Sequence, residues 1–342
     1  MFYFIFNEYI NAFYFECTNL FNLKLFWKNL DLLFPNLNIH SLFFISTFLT
    51  HALSLKPVFL IAGFENSPIY SKISNPSLYP ECPSGKHPIL IKDHKNFNTN
   101  FLLQYPYCVA KLFRVELNSK TGKVEQLPGI TTESISIGDP SFFSDTFGSI
   151  FSKIKEIGYQ ANKNFFGVSY NHFLHPVTSY SVFYKLKNKI EQVYSQTGEK
   201  SIFISFDQGS NFISMFLSNY SKSEWVSKYI DSVIFLSPTF AGLPSLSNLY
   251  SQNFSPFISN SEIKKSMMRM PGFLMSLPNY AIYENFSFDG KYKRYNVSES
   301  FEILKELRKV DDESEKIFKT TVEKHLKTAI PEPPISSLII TN

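Results

Sequence analysis

The chain has 342 residues, 44% hydrophobic and 18% charged, with a formal net charge of +4. That is enough for one large domain or two ordinary ones, and too apolar for a disordered chain. A mean hydropathy of -0.09 excludes a multi-span membrane protein but leaves room for one apolar segment. Lys and Arg are scattered rather than blocked, which argues against a nucleic-acid surface, and no nucleotide-binding glycine fingerprint occurs.

Residues 1–55 read as a leader. The run 41–55 (SLFFISTFLTHALSL) is apolar and ends in small residues, and Lys24 and Lys28 precede it. This is the pattern of a signal peptide or short signal anchor with a lumenal remainder. The alternative is a buried apolar strand or helix, since the run is shorter than the ~20 residues a span needs. With Cys17 in the leader, Cys82 and Cys108 remain in the body, either as a pair or as buried thiols. Four N-x-S/T sequons, at Asn219, Asn253, Asn285 and Asn296, fit a lumenal or extracellular route through the secretory pathway.

In the body, residues 57–62 (PVFLIA) form a continuous apolar run ending at Gly63, as expected of a strand buried on both faces. Residues 70–138 read as irregular. Helical spacing recurs around 145–158, with Gly158 as its stop, and a short strand is expected at 164–168. A helix over 180–197 carries Val182, Phe183, Leu186, Ile190 and Val193 on one face. The strand 201–206 (SIFISF) leads through a tight turn, Asp207-Gln208-Gly209-Ser210, into a helix over 211–217, and a strand follows at 233–236. This alternation predicts a mostly parallel α/β sheet with flanking helices. Residues 243–300 are loop-rich, a single mixed-charge helix is expected over 299–328, and a last strand at 336–341.

Strand, sharp turn and helix at 201–217 is the layout of a nucleophile elbow, G-x-S-x-G, with different letters. Residues 56–73, the spacing of Cys82 and Cys108, the pair Gly158-Tyr159 before residues 167–172 (GVSYNH), residues 229–242 (YIDSVIFLSPTFAG) and residues 295–304 complete the pattern in order. Taken together, the body resembles the lecithin:cholesterol acyltransferase family of α/β-hydrolases, which includes phospholipases and phospholipid:diacylglycerol acyltransferases. The resemblance covers about residues 56–342. It implies an α/β-hydrolase-like domain with a lid loop at about 74–135 and a cap segment at about 243–300. It also implies a Cys82–Cys108 disulfide, and lipid chemistry without metal or cofactor.

Set on the family's elbow, the turn places Gln208 at the nucleophile position, and Gln has no oxygen that a base can activate. Ser210, the nearest hydroxyl, either substitutes as nucleophile or, as its place at a helix start favours, caps the following helix. Family order puts the catalytic Asp and His after the last strand. Here only Asn342 follows residues 336–341, so the expectation is a chain lacking the C-terminal part of the fold. His325 precedes that strand and reads as a surface histidine, and His172 with His175 lacks a third metal ligand. The oxyanion positions fall on the backbone of Phe64 and Gly209. Met267, Met268, Phe273, Leu274 and Met275 either meet lipid or a membrane surface or fill the core. Three outcomes are therefore expected: a catalytically inactive lipid-binding family member, an active acyltransferase or phospholipase with a rearranged triad, or a truncated paralogue.

Overall fold

The computed structural model describes residues 55–63, 69–90, 101, 104–134, 137–143, 148–174, 180–242, 261–290, 293–307, 310–328 and 333–340. The first described element is β1 (Val58–Ile61), every residue of which is buried. β2 (Ile69–Ile73) and β3 (Gly85–Leu90) follow, then helix α1 (Pro106–Phe113), the hairpin β4 (Val115–Leu117) and β5 (Val124–Gln126), and β6 (Ile130–Ser134). The described part of the region read as irregular therefore carries regular elements. β2 pairs antiparallel with both β3 and β6, and β4 pairs with β5. The sequence hides this because β2 and β6 alternate with polar residues (IYSKI, ITTES) and carry no apolar run. Cys82 and Cys108 form a disulfide that ties this lobe to α1.

Next come α2 (Gly148–Glu156), β7 (Phe165–Val168), α3 (Tyr180–Thr197), β8 (Ser201–Phe206), α4 (Gly209–Met215), α5 (Ser223–Tyr229) and β9 (Ile230–Leu236). α3 buries Phe183, Leu186, Ile190 and Val193, the stripe its spacing predicts. β9 starts three residues earlier than its apolar run, because Ile230-Asp231-Ser232 extends the ladder to β8. α6 (Ser261–Met267), α7 (Pro271–Leu274) and the hairpin β10 (Ser287–Asp289) and β11 (Arg294–Asn296) precede the C-terminal helices.

The single helix expected over 299–328 is instead broken into α8 (Ser300–Glu306), α9 (Asp312–Ile317) and α10 (Glu323–Leu326), the last two joined by a wider π-type turn. The cause is Asp311. Its carboxylate accepts from Ser314 N at 2.9 Å and so opens a new helix, satisfying a donor the broken helix would leave unpaired.

β12 (Ser336–Ile340) closes a five-stranded parallel sheet in the order β12-β9-β8-β1-β7. Phe59 of β1 sits in register with Phe166 of β7 and Phe203 of β8, with ring centroids 4.8 and 5.8 Å apart. β8 lies at the middle of this sheet. Whatever follows its C-terminal end is presented between β1 and β9, where parallel α/β sheets place their ligands.

Candidate functional site

The turn after β8 is set by backbone bonds on both sides. Asp207 N donates to Leu236 O of β9 at 3.1 Å, and Asp207 O accepts from Ser210 N at 3.0 Å. Asp207 is thereby held at φ +51, left-handed for a residue with a side chain, whereas Gln208 has ordinary helical angles of -64 and -20. Two residues on, a Cβ at Gly209 would stand 2.2 Å from Ala62 O, so only glycine lets α4 start this close to β1. Gly63, just after β1, has the same constraint. Its Cβ would lie 2.9 Å from Asp207 Cβ and 3.1 Å from Asp207 Oδ2.

A strained residue between a central parallel strand and a helix, with a glycine two positions later, is the geometry of a nucleophile elbow. The lecithin:cholesterol acyltransferase family model matches residues 95–288, more than half of the chain. The chain belongs to that family. No curated protein matches it. The five-stranded parallel sheet with its flanking helices is the α/β-hydrolase-like core that membership calls for, and membership carries the broad function of lipid acyltransferases and phospholipases.

The left-handed position is Asp207, and Gln208 is the residue after it. Ser205-Phe206-Asp207-Gln208-Gly209 thus stands against G-x-S-x-G with its second glycine kept. That glycine was the signal available in the sequence. The N–H that follows the left-handed residue belongs to Gln208, and at Gly209 a Cβ would collide with Ala62 O. Phe64, the other oxyanion position, lies outside the described residues, as do His175 and the leader 1–54.

Ser210 is fully buried, and its hydroxyl lies 3.0 Å from Ser205 Oγ. It does not cap α4, because it sits inside the first turn rather than before it. The Gln208 side chain reaches the cap region, where its Nε2 donates to Gly272 O of α7. Asn211 Nδ2 points to Thr239 O at 3.5 Å, the limit of hydrogen-bonding range. Beside the elbow, Tyr170 stacks on Phe212 with centroids 4.2 Å apart. Burial first, and the Asp207 charge second, push its hydroxyl pKa well above the usual value, which keeps the phenol neutral.

Met267, Met268, Phe273, Leu274 and Met275 are all buried, none more than 6% exposed, so they present no apolar surface to a membrane. α7 packs so tightly that a Cβ at Gly272 would stand 1.8 Å from His172 O, and the side chains around it fill the core. His172 is itself fully buried, and burial lowers its pKa to about 3. His325 is half-buried rather than a surface group, and desolvation lowers its pKa to about 4. Both rings are neutral at physiological pH and poor proton acceptors.

Among the described residues no group of His, Cys, Asp and Glu is arranged to hold a metal ion, and no helix is long and apolar enough to cross a membrane. The sequon residues Asn219, Asn285 and Asn296 are exposed, and Asn253 lies outside the described residues.

Proposed function

We propose that this chain is a lipid-binding member of the lecithin:cholesterol acyltransferase family that does not carry out acyl transfer. The observation that supports this reading is the elbow itself, where Asp207 stands at φ +51 in the place of a serine hydroxyl. A carboxylate attacking an ester carbonyl would have to form a mixed anhydride, a less stable acyl carrier than the ester it consumed. A hydroxyl nucleophile needs a base within reach and a path to the substrate. Ser210 is fully buried with its hydroxyl against Ser205 Oγ, which supports the absence of a path to substrate.

The test is covalent labelling of the purified full chain by a serine-directed fluorophosphonate. No labelling is expected. Labelling that disappears in Ser210→Ala would overturn the reading in favour of an active enzyme with a rearranged triad.

A lumenal or extracellular location goes with this proposal. It is supported by the Cys82–Cys108 bond, which persists in oxidising compartments, and by the exposure of Asn219, Asn285 and Asn296. Digestion with an N-glycosidase should lower the apparent mass of protein made in the native host. An unchanged mass, with free thiols at both cysteines, would refute it.

A further inference from the structure

The outer face of α3 carries two large rings in solvent. Tyr180 and Tyr184 are 58% and 60% exposed, and their spacing of four sets them one above the other on the helix. The ring of Tyr220, from the turn Phe216–Tyr220 that follows α4, lies beside them. Its centroid is 6.0 Å from that of Tyr180 and 5.3 Å from that of the buried Phe183. Tyr220 is also the middle residue of the sequon Asn219-Tyr220-Ser221, and Asn219 is exposed. The attachment point of a glycan therefore adjoins a platform of three tyrosine rings.

The third residue of that sequon is buried. Ser221 is 7% exposed, and its Oγ finds no hydrogen-bond partner among the described residues. A buried hydroxyl without a partner costs stability, so the described hydrogen bonding gives no reason for a serine here. A sequon gives one, provided that its hydroxyl is read before folding buries it. Ser287, in the sequon of Asn285, differs. Its Oγ accepts from Arg294 Nε at 2.6 Å and so has a place in the fold.

A sugar lays its C–H face on an aromatic ring while its hydroxyls stay in water, which suits rings that are apolar on the face and wet at the tip. Each such contact is weak, and two or three would not hold a free oligosaccharide. A glycan tethered at Asn219 meets the same rings at an effective concentration in about the millimolar range, where weak contacts suffice.

Resting on the lumenal or extracellular location above, we propose that Asn219 carries an N-glycan whose first sugars lie on Tyr180, Tyr184 and Tyr220. The β-linked N-acetylglucosamine core supplies the flat faces, and the glycan is then a packed part of this surface.

The experiment uses the full chain secreted from a glycosylating host. Peptide mass spectrometry reads occupancy at Asn219 and Asn296, and digestion of the native protein with an N-glycosidase is followed site by site. Asn296 is the internal control, being exposed but followed by the buried Val297 rather than by a ring. Asn219 is expected to be occupied and its glycan released about tenfold more slowly than that of Asn296, as a few weak contacts on a tethered group allow. The double variant Tyr180→Ser/Tyr184→Ser should lose most of that difference, and it should fold because both rings are exposed. Ser221→Ala should lose the glycan and Ser221→Thr keep it.

Release from Asn219 as fast as from Asn296, or slow release unchanged in the tyrosine variant, overturns the proposal while the location stands. A bare Asn219 beside an occupied Asn296 does the same. If neither asparagine is occupied and Cys82 and Cys108 carry free thiols, the location reading fails and this one with it.

Discussion

Gly209→Ala is the sharpest test of how the elbow is held. The added methyl would stand 2.2 Å from Ala62 O, 2.9 Å from Ala62 C and 3.1 Å from Ile61 O, all backbone atoms of the strand beside β8. Reaching an ordinary contact needs roughly 1 Å of separation between α4 and β1, and neither element has a flexible end to yield. The end of β1 is fixed in turn by Ala62 N donating to Val168 O at 3.2 Å. Overpacking of this kind costs about 1–3 kcal/mol, and straining a buried backbone hydrogen bond adds about 1–3 more. A loss of about 2–6 kcal/mol is expected, which at about 2–4 °C per kcal/mol is a fall in Tm of roughly 4–24 °C.

The controls are Gly122→Ala and Gly198→Ala. Both glycines have left-handed backbones, at φ +66 and +71, with nothing within 4 Å of an added Cβ. They should show only the backbone term, about 1–2 kcal/mol. Scanning fluorimetry of the three variants reads the difference. If Gly209→Ala melts with the two controls, the close approach of α4 to β1 is wrong and the elbow geometry fails with it.

Two further outcomes follow from the interior. Cys82 and Cys108 are 26 residues apart, and the loop-entropy relation gives their bond about 3.5 kcal/mol. The double variant Cys82→Ala/Cys108→Ala should melt roughly 7–14 °C lower and be insensitive to reductant; a melting point matching the oxidised parent would refute the constraint. His172 has its pKa lowered from 6.5 to about 3 by burial, so below about pH 6.5 the unfolded chain takes a proton that the folded chain refuses. Its contribution is complete above pH 6.5 and is lost progressively as the pH falls towards 3, with about 2 kcal/mol gone at pH 5. His172→Phe should therefore flatten the fall in Tm between pH 7.5 and 5, and an unchanged profile would show that the buried ring does not set it.

The central sheet was legible because its strands are apolar runs and α3 carries a clean helical stripe, signals that depend on burial alone. The three-stranded sheet at β2, β3 and β6 was not, since Ser71 and Thr132 pair with each other across β2 and β6 and leave no apolar run to read. The break before α9 was hidden because Asp311, a capping residue, sits in a run of acids that reads as a solvated face. At the turn after β8, type and place were legible but which residue takes the left-handed backbone was not. What separates Asp207 from Gln208 is the sign of a backbone angle, and with Ser and the first glycine gone only Gly209 still marked it. The fate of the Met-rich segment was undecidable by composition, because Met fills cores and binding surfaces alike. The tight approach of Gly272 to His172 O decides for the core.

The turn after β8 also shows how the residue at its left-handed position can vary without loss of the fold. A left-handed residue with a side chain costs about 1–2 kcal/mol, and Asp is among the residues that tolerate it best. The position is maintained by bonds that do not involve the side chain of residue 207, namely its own N–H to Leu236 O and its carbonyl to Ser210 N. The room for it comes from Gly63 and Gly209, the two places where a Cβ would collide. Stability therefore constrains the glycines and the ladder far more than it constrains which side chain the turn presents. On the proposed reading, a carboxylate at Asp207 would alter what the site attracts while leaving the sheet that carries it intact, so a stable α/β-hydrolase core is by itself no argument for or against acyl transfer.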